Sequence, residues 1–164
     1  MIKRSVQKDK TVYTHAQALE ALKEYCAYQD RCHADARQKL RELNIWGDEA
    51  EAVIADLIGE KYLDELRFAQ SFARGKFKIK RWGRMKITRE LKQRHISAYC
   101  IKKALREIPD EDYMTTLYNE LERRDRLEKR GLHPYLKRRK LADYMFQRGY
   151  ESNLTWEAIE ELGL

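Results

Sequence analysis

The chain has 164 residues, room for one or two ordinary domains or for an array of small ones, and 37% of them are charged. No apolar run approaches the roughly 20 residues that a bilayer span needs, which argues against a membrane segment and for a cytoplasmic protein. Three cysteines, Cys26, Cys32 and Cys100, form no Cys-x-x-Cys pair and argue against a disulfide framework, while a formal charge of +7 directs attention to acidic or polyanionic partners.

With seven Gly and two Pro among abundant Ala, Leu, Glu, Lys and Arg, few residues break a helix, and the expected fold class is all-α. Residues 1–13 read as an N-terminal tail whose charges surround no signal-peptide core. Residues 14–63 form the first expected repeat. Thr14 with Gln17 makes a capping box ahead of an amphipathic helix through Ala18, Leu19 and Leu22. Ala36, Leu40 and Ile45 mark a second helix closing on a turn; Ala50, Val53, Ile54 and Leu57, at i, i+3, i+4 and i+7, mark a third. Asp48 with Glu51 reads as the cap of that third helix, and Trp46 as a packing residue.

Residues 64–110 repeat the pattern. Asp64 is the expected N-cap of a helix carrying Phe68, Phe72 and Ala73, Ile87, Leu91 and Ile96 stand in register with Ala36, Leu40 and Ile45, and Ser97 caps a helix through Ile101, Ala104, Leu105 and Ile108. Residues 111–164 repeat it again, with Leu117, Tyr118 and Leu121, then Leu141, Met145 and Tyr150, then Thr155, Ala158, Ile159 and Leu162. Gly149 stands where a left-handed C-cap is favoured, and Trp156 reads as packing. One buried stripe per helix and three helices per repeat predict three tandem three-helix, helix-turn-helix-like repeats in an elongated array, straight or curved. No candidate recognition helix carries the dense Arg, Asn and Gln of base-edge readout.

Charge is spread unevenly over these repeats. Residues 74–106 hold 13 basic residues against Glu90 alone, whereas residues 1–73 are close to balance. The candidate partner- or DNA-binding residues are Arg74, Lys76, Lys78, Lys80, Arg81, Arg84, Lys86, Arg89, Lys92, Arg94 and Lys103, with Phe77 and Trp82 interleaved. Gly75 and Gly83 bracket a helix end and loop, expected to be a mobile connection. A merely solvated face normally mixes signs, so a neutralising partner accounts better for this run. A secondary basic patch comprises Arg123, Arg126, Arg130, Lys137, Arg138, Arg139 and Lys140, on a helix that would spread its charges around the circumference if it continued through Arg130.

Nothing assembles a catalytic site. There is no phosphate-binding Gly loop and no nucleophile elbow, and His15, His33, His95 and His133 are scattered. Asp110, Glu111 and Asp112 fall at a helix start, and Glu157, Glu160 and Glu161 on an exposed face, where they suit the helix dipole or solvent. The expectation is a non-enzymatic chain, catalytic residues none, metal none, cofactors none, working as a monomer.

The stretch Tyr62-Leu63-Asp64-Glu65-Leu66-Arg67-Phe68-Ala69, followed by Phe72, then Gly83-Arg84-Met85-Lys86-Ile87 and Glu90-Leu91, resembles the central signature of the RecX family, an acidic turn leading into Arg-Phe-Ala, a basic segment and a Gly before a helix. Lys61 stands where relatives often have Gly, Leu66 interrupts the polar pattern, and Cys32 replaces a more usual Ser cap. The resemblance implies tandem three-helix units, binding to the RecA recombinase filament, contact with DNA directly or through that filament, and restraint of ATP hydrolysis, strand exchange and filament growth. A general single- or double-stranded DNA-binding module without RecA specificity is the alternative.

Overall fold

The computed structural model describes residues 12–128 and 130–164; the expected tail through residue 11, and Lys129 of the second basic stretch, lie outside the described residues. Among the described residues there are nine helices and no strand. The chain divides into two compact units, Met1–Asp64 and Glu65–Leu164.

The first unit holds α1 (His15–Tyr28), α2 (His33–Glu42) and α3 (Gly47–Gly59). Thr14 and Gln17 form the expected capping box: the Thr14 hydroxyl accepts from the Gln17 amide at 3.2 Å and Gln17 Oε1 from the Thr14 amide at 2.9 Å. Cys32 caps α2 in the same way despite lacking a hydroxyl, its Sγ accepting from the Asp35 amide at 3.4 Å. The cap expected at Asp48 does not form. Helix α3 starts earlier, with Trp46 as its N-cap, and Glu51 turns instead to a two-pronged pair with Arg37 at 2.7 and 3.0 Å. Trp46 is 62% exposed and packs no core. The core is made of Ala18, Leu22, Ala36, Leu40, Ile45, Val53, Ile54 and Leu57, the residues that carried the periodicity.

The second unit holds α4 (Glu65–Lys80), α5 (Arg84–Gln93), α6 (Ala98–Leu105), α7 (Asp110–Leu127), α8 (Pro134–Arg148) and α9 (Ser152–Glu161). Helix α4 buries Phe68, Ala69, Ala73 and Phe77 and packs mainly on α6; α8 packs on α7 and α9. Lys76, Lys78 and Lys80 alternate with Phe77 and Ile79, yet the stretch continues this helical stripe, and Ile79 is left 77% exposed. Gly75 sits inside α4, so the helix runs five residues past the point where a loop was expected. Arg81, at φ +56°, reverses the chain.

All three domains close their second helix with the same device. Asn44, His95 and Gly149 adopt left-handed φ of 61°, 59° and 88°. The following amides, of Ile45, Ile96 and Tyr150, donate to the carbonyls of Leu40, Leu91 and Met145 at 2.9, 3.1 and 3.1 Å. This is a Schellman motif with its hydrophobic partner buried, and it explains why an apolar residue recurs five positions after the last core residue of each second helix.

The α4–α6 and α7–α9 domains meet through a polar and aromatic joint. The backbone amides of Gly83 and Met85 donate to the carbonyls of Arg148 and Gly149 at 2.7 and 3.0 Å, so the glycine-capped start of α5 is satisfied by the end of α8. Arg148 and Tyr150 in turn donate to the carbonyls of Lys80 and Arg81 at 2.6 and 3.2 Å. Beneath them Phe77, Tyr113 and Tyr150 stack, with ring centroids 5.9 and 5.0 Å apart. The segment 81–83 is therefore clamped by its neighbours, which overturns the expectation of a mobile connection.

Candidate functional site

The cations of residues 74–106 sort into three environments. Some are paired: Arg74 with Glu107 at 2.8 Å, Arg84 with Asp110 at 2.5 Å and Arg94 with Glu90 at 2.9 Å. Arg84 also lies over the Tyr113 ring, 4.0 Å from its centroid. The Tyr113 hydroxyl accepts from the Arg84 amide at 3.1 Å and donates to Glu151 at 2.5 Å; burial first, then that carboxylate, pushes the phenol pKa far up.

A second group is held by rings. Arg94 and Lys76 lie 5.0 and 5.2 Å from the Phe72 centroid, and Lys76 and Lys86 lie 4.9 and 4.5 Å from that of Trp82. The result is an alternating ladder, Arg94, Phe72, Lys76, Trp82, Lys86. Each cation–ring contact contributes about 0.5–1 kcal/mol at such half-exposed sites, which offsets repulsion where acids are scarce. Trp82 is engaged by two lysines and is not a free platform for a base.

The third group is exposed and, among the described residues, forms no ion pair: Lys78, Lys80, Arg81, Arg89, Lys92, Lys102 and Arg106. Lys103 lies over the exposed Tyr99 ring at 5.7 Å. Lys102 and Arg106 were not singled out from sequence, although their i, i+4 spacing on and just beyond α6 places them on one face.

Four of the seven residues of the second basic patch are paired with acids of the same unit. Helix α7 ends at Leu127, so Arg130 falls in the following loop. Lys137 meets Asp125 at 2.5 Å, Lys140 meets Glu128 at 3.6 Å, Arg123 meets Glu120 at 2.9 Å and Arg139 meets Asp143 at 3.9 Å. Arg126 and Arg130 are exposed, and Arg138 is half-buried. Glu120 is 7% exposed and gathers Arg123, the Tyr144 hydroxyl and Arg148. Burial would raise its carboxyl pKa, yet Arg123 and Arg148 hold it below the ordinary value.

Among the described residues, no three His, Cys, Asp or Glu side chains gather to hold a metal, and no helix is long and apolar enough to cross a membrane.

The fold and its register define an all-helical protein of tandem three-helix domains. Residues 64–105 match the family model of the second three-helix domain of RecX, and residues 110–159 that of the third. The chain belongs to the RecX family. It is 28% identical over 109 residues to Regulatory protein RecX of Lactobacillus gasseri, covering 66% of this chain and 40% of that protein. It is 23% identical over 139 residues to Regulatory protein RecX of Bacillus cytotoxicus (84% and 51%), and 26% identical over 138 residues to that of Prosthecochloris aestuarii (84% and 88%). The chain thus spans about two-fifths to one-half of the first two relatives. A crystal structure of regulatory protein RecX superposes with a TM-score of 0.81 at 22% identity, covering 90% of this chain and 71% of the other. RecX from Lactobacillus salivarius superposes with a TM-score of 0.77 at 21% identity, covering 91% and 96%.

Proposed function

We propose that this chain is a non-enzymatic negative regulator of the RecA recombinase, working in the cytoplasm as a monomer that binds the RecA–DNA filament and restrains its ATP hydrolysis, strand exchange and growth. Family membership supports the regulatory role, and relatives carry the name Regulatory protein RecX. The observation that carries the choice of surface is the set of exposed cations in the α4–α6 domain that lack an ion pair among the described residues. Such a field is neutralised by phosphates, by acidic protein, or by both together on a nucleoprotein filament.

The test is a titration of RecA-dependent ATPase on single-stranded DNA. Inhibition far below the amount needed to coat the DNA supports filament regulation. Inhibition only at coating levels supports the alternative, a general DNA-binding module. The variant Lys78→Glu/Lys80→Glu/Arg81→Glu, which touches exposed charges only, is expected to lose inhibition while keeping its helicity.

A further inference from the structure

Leu105 breaks the register of the repeats. Its counterparts Ile54 and Ile159 are 3% and 0% exposed, but Leu105, the last residue of the short α6, is only half-buried. With Arg84 it lines both of two clefts of about 410 and 440 Å³ in the second unit. Met85, 54% exposed on the first turn of α5, continues the apolar floor on one side, and Ile108 and Pro109 continue it on the other. Cations rise from both helices around this floor: Arg89 and Lys92 from α5, Lys102 and Arg106 from α6 and its end. All four are exposed and without an ion pair among the described residues.

The acids of the clefts are already engaged. Asp110 holds Arg84, and Glu151 takes the Tyr113 hydroxyl. No aromatic ring lines either cleft. Phosphates would satisfy the cations yet leave Leu105 and Met85 wet, and a nucleic-acid base would find no ring to stack on. A peptide with carboxylates flanking leucine-like side chains satisfies both features at once, because its acids reach the rim as its aliphatic groups cover the floor.

We propose that this cleft binds an acidic protein segment carrying aliphatic anchors. The assignment deepens the reading of the α4–α6 domain as the contact face and rests on it, but it is measured without RecA. The probe is a fluorescein-labelled peptide of repeating Glu-Glu-Leu, compared by anisotropy on the full chain with a Glu-Glu-Ser peptide of equal charge and with oligothymidylate of equal charge.

The leucine peptide is expected to bind about tenfold more tightly than the serine peptide, the effect of burying one such side chain. Met85→Ser should weaken the leucine peptide about threefold to tenfold and leave the serine peptide unchanged. Lys102→Glu/Arg106→Glu should weaken both at least about tenfold. Circular dichroism checks that these surface variants remain folded.

Equal binding of the two peptides, or indifference to Met85→Ser, overturns the proposal and leaves a plain cationic surface. Oligothymidylate binding tighter than the leucine peptide overturns it in favour of a phosphate track. Dimerisation in sedimentation that Lys102→Glu/Arg106→Glu abolishes overturns it in favour of a second copy. Peptide binding by a chain that leaves RecA ATPase untouched removes the filament reading alone. Inhibition by a chain that ignores the peptide removes the cleft assignment alone.

Discussion

Gly149 fills the side-chain space of Gly83: a Cβ on Gly83 would lie 2.2 Å from the carbonyl oxygen of Gly149, and one on Gly149 would in turn lie 2.4 Å from the Lys86 amide nitrogen. The contact is backbone against backbone, so neither side can yield cheaply. It is what lets the end of α8 cap the start of α5. Gly83→Ala and Gly149→Ala are each expected to destabilise the second unit by about 1–3 kcal/mol, through overpacking and, at Gly149, left-handed backbone strain as well. Gly75→Ala, in the interior of α4 with nothing within 4 Å of its would-be Cβ, should instead stabilise by about 0.5–1 kcal/mol. Urea unfolding midpoints compare the three directly. If Gly83→Ala and Gly149→Ala leave the midpoint where it is or raise it, the two domains do not meet through this joint.

Glu120 makes a pH-dependent contribution whose sign follows from its neighbours. Its folded pKa is lowered, burial being outweighed by Arg123 and Arg148. A lowered carboxyl adds stability that is present above its unfolded pKa, about 4.3, and is lost as pH falls through the folded value. Glu120→Gln should therefore cost about 1–3 kcal/mol at neutral pH, because it leaves Arg148 facing a neutral amide, and the cost should shrink steadily below about pH 4. Chemical unfolding of both forms across that acidic range checks the slope. Parallel curves would place the carboxylate outside the stabilising network.

What sequence alone revealed, and what it concealed, divides along a physical line. Apolar spacing located the helices because each domain must bury one stripe per helix, and the recurring Ile45, Ile96 and Tyr150 reflect one local hydrogen-bond pattern repeated three times. Pairing of charges was not legible in this way. Arg84 finds Asp110 26 residues away and Arg74 finds Glu107 33 residues away, so a count along the chain overstated the free positive charge. Lys102 and Arg106 were counted but not singled out, because they follow the densest run; the fold places them with Arg84 in one of the two clefts that Leu105 lines. Trp46 misled for another reason: a large apolar residue at a helix N-cap looks like core, yet its position projects it into solvent.

The thiols should be silent in the native state. Cys26, Cys32 and Cys100 are 7%, 0% and 6% exposed, and burial pushes the Cys32 thiol up to about 11. At pH 8 iodoacetamide is expected to modify them only as the protein unfolds, with labelling that tracks the denaturant transition by mass spectrometry. The raised Cys32 pKa also carries a linkage. Stability from its protonated form is complete below the unfolded value of about 8.5 and declines as pH climbs through about 11, so the first unit should lose stability in strong base. Rapid native labelling of Cys32 at pH 8 would contradict this environment.

Paired and unpaired cations should separate cleanly under charge reversal. Arg84 holds Asp110 and covers Tyr113, and Arg94 holds the Glu90 side chain and carbonyl while covering Phe72. Arg84→Glu/Arg94→Glu therefore replaces two attractions with two repulsions on half-buried side chains. A loss of about 1–3 kcal/mol is expected, discounted toward the lower end because solvent screens Asp110, whose side chain is 93% exposed. Arg89→Glu/Lys92→Glu breaks no ion pair among the described residues and relieves like-charge crowding, so its stability should change by less than about 0.5 kcal/mol, with any gain confined to low salt. Thermal unfolding at low and high salt measures the first contrast, and RecA-dependent ATPase the second. Loss of inhibition by Arg89→Glu/Lys92→Glu at unchanged stability assigns the effect to the surface. If the exposed pair retains full inhibition, the contact face lies away from these two residues of α5.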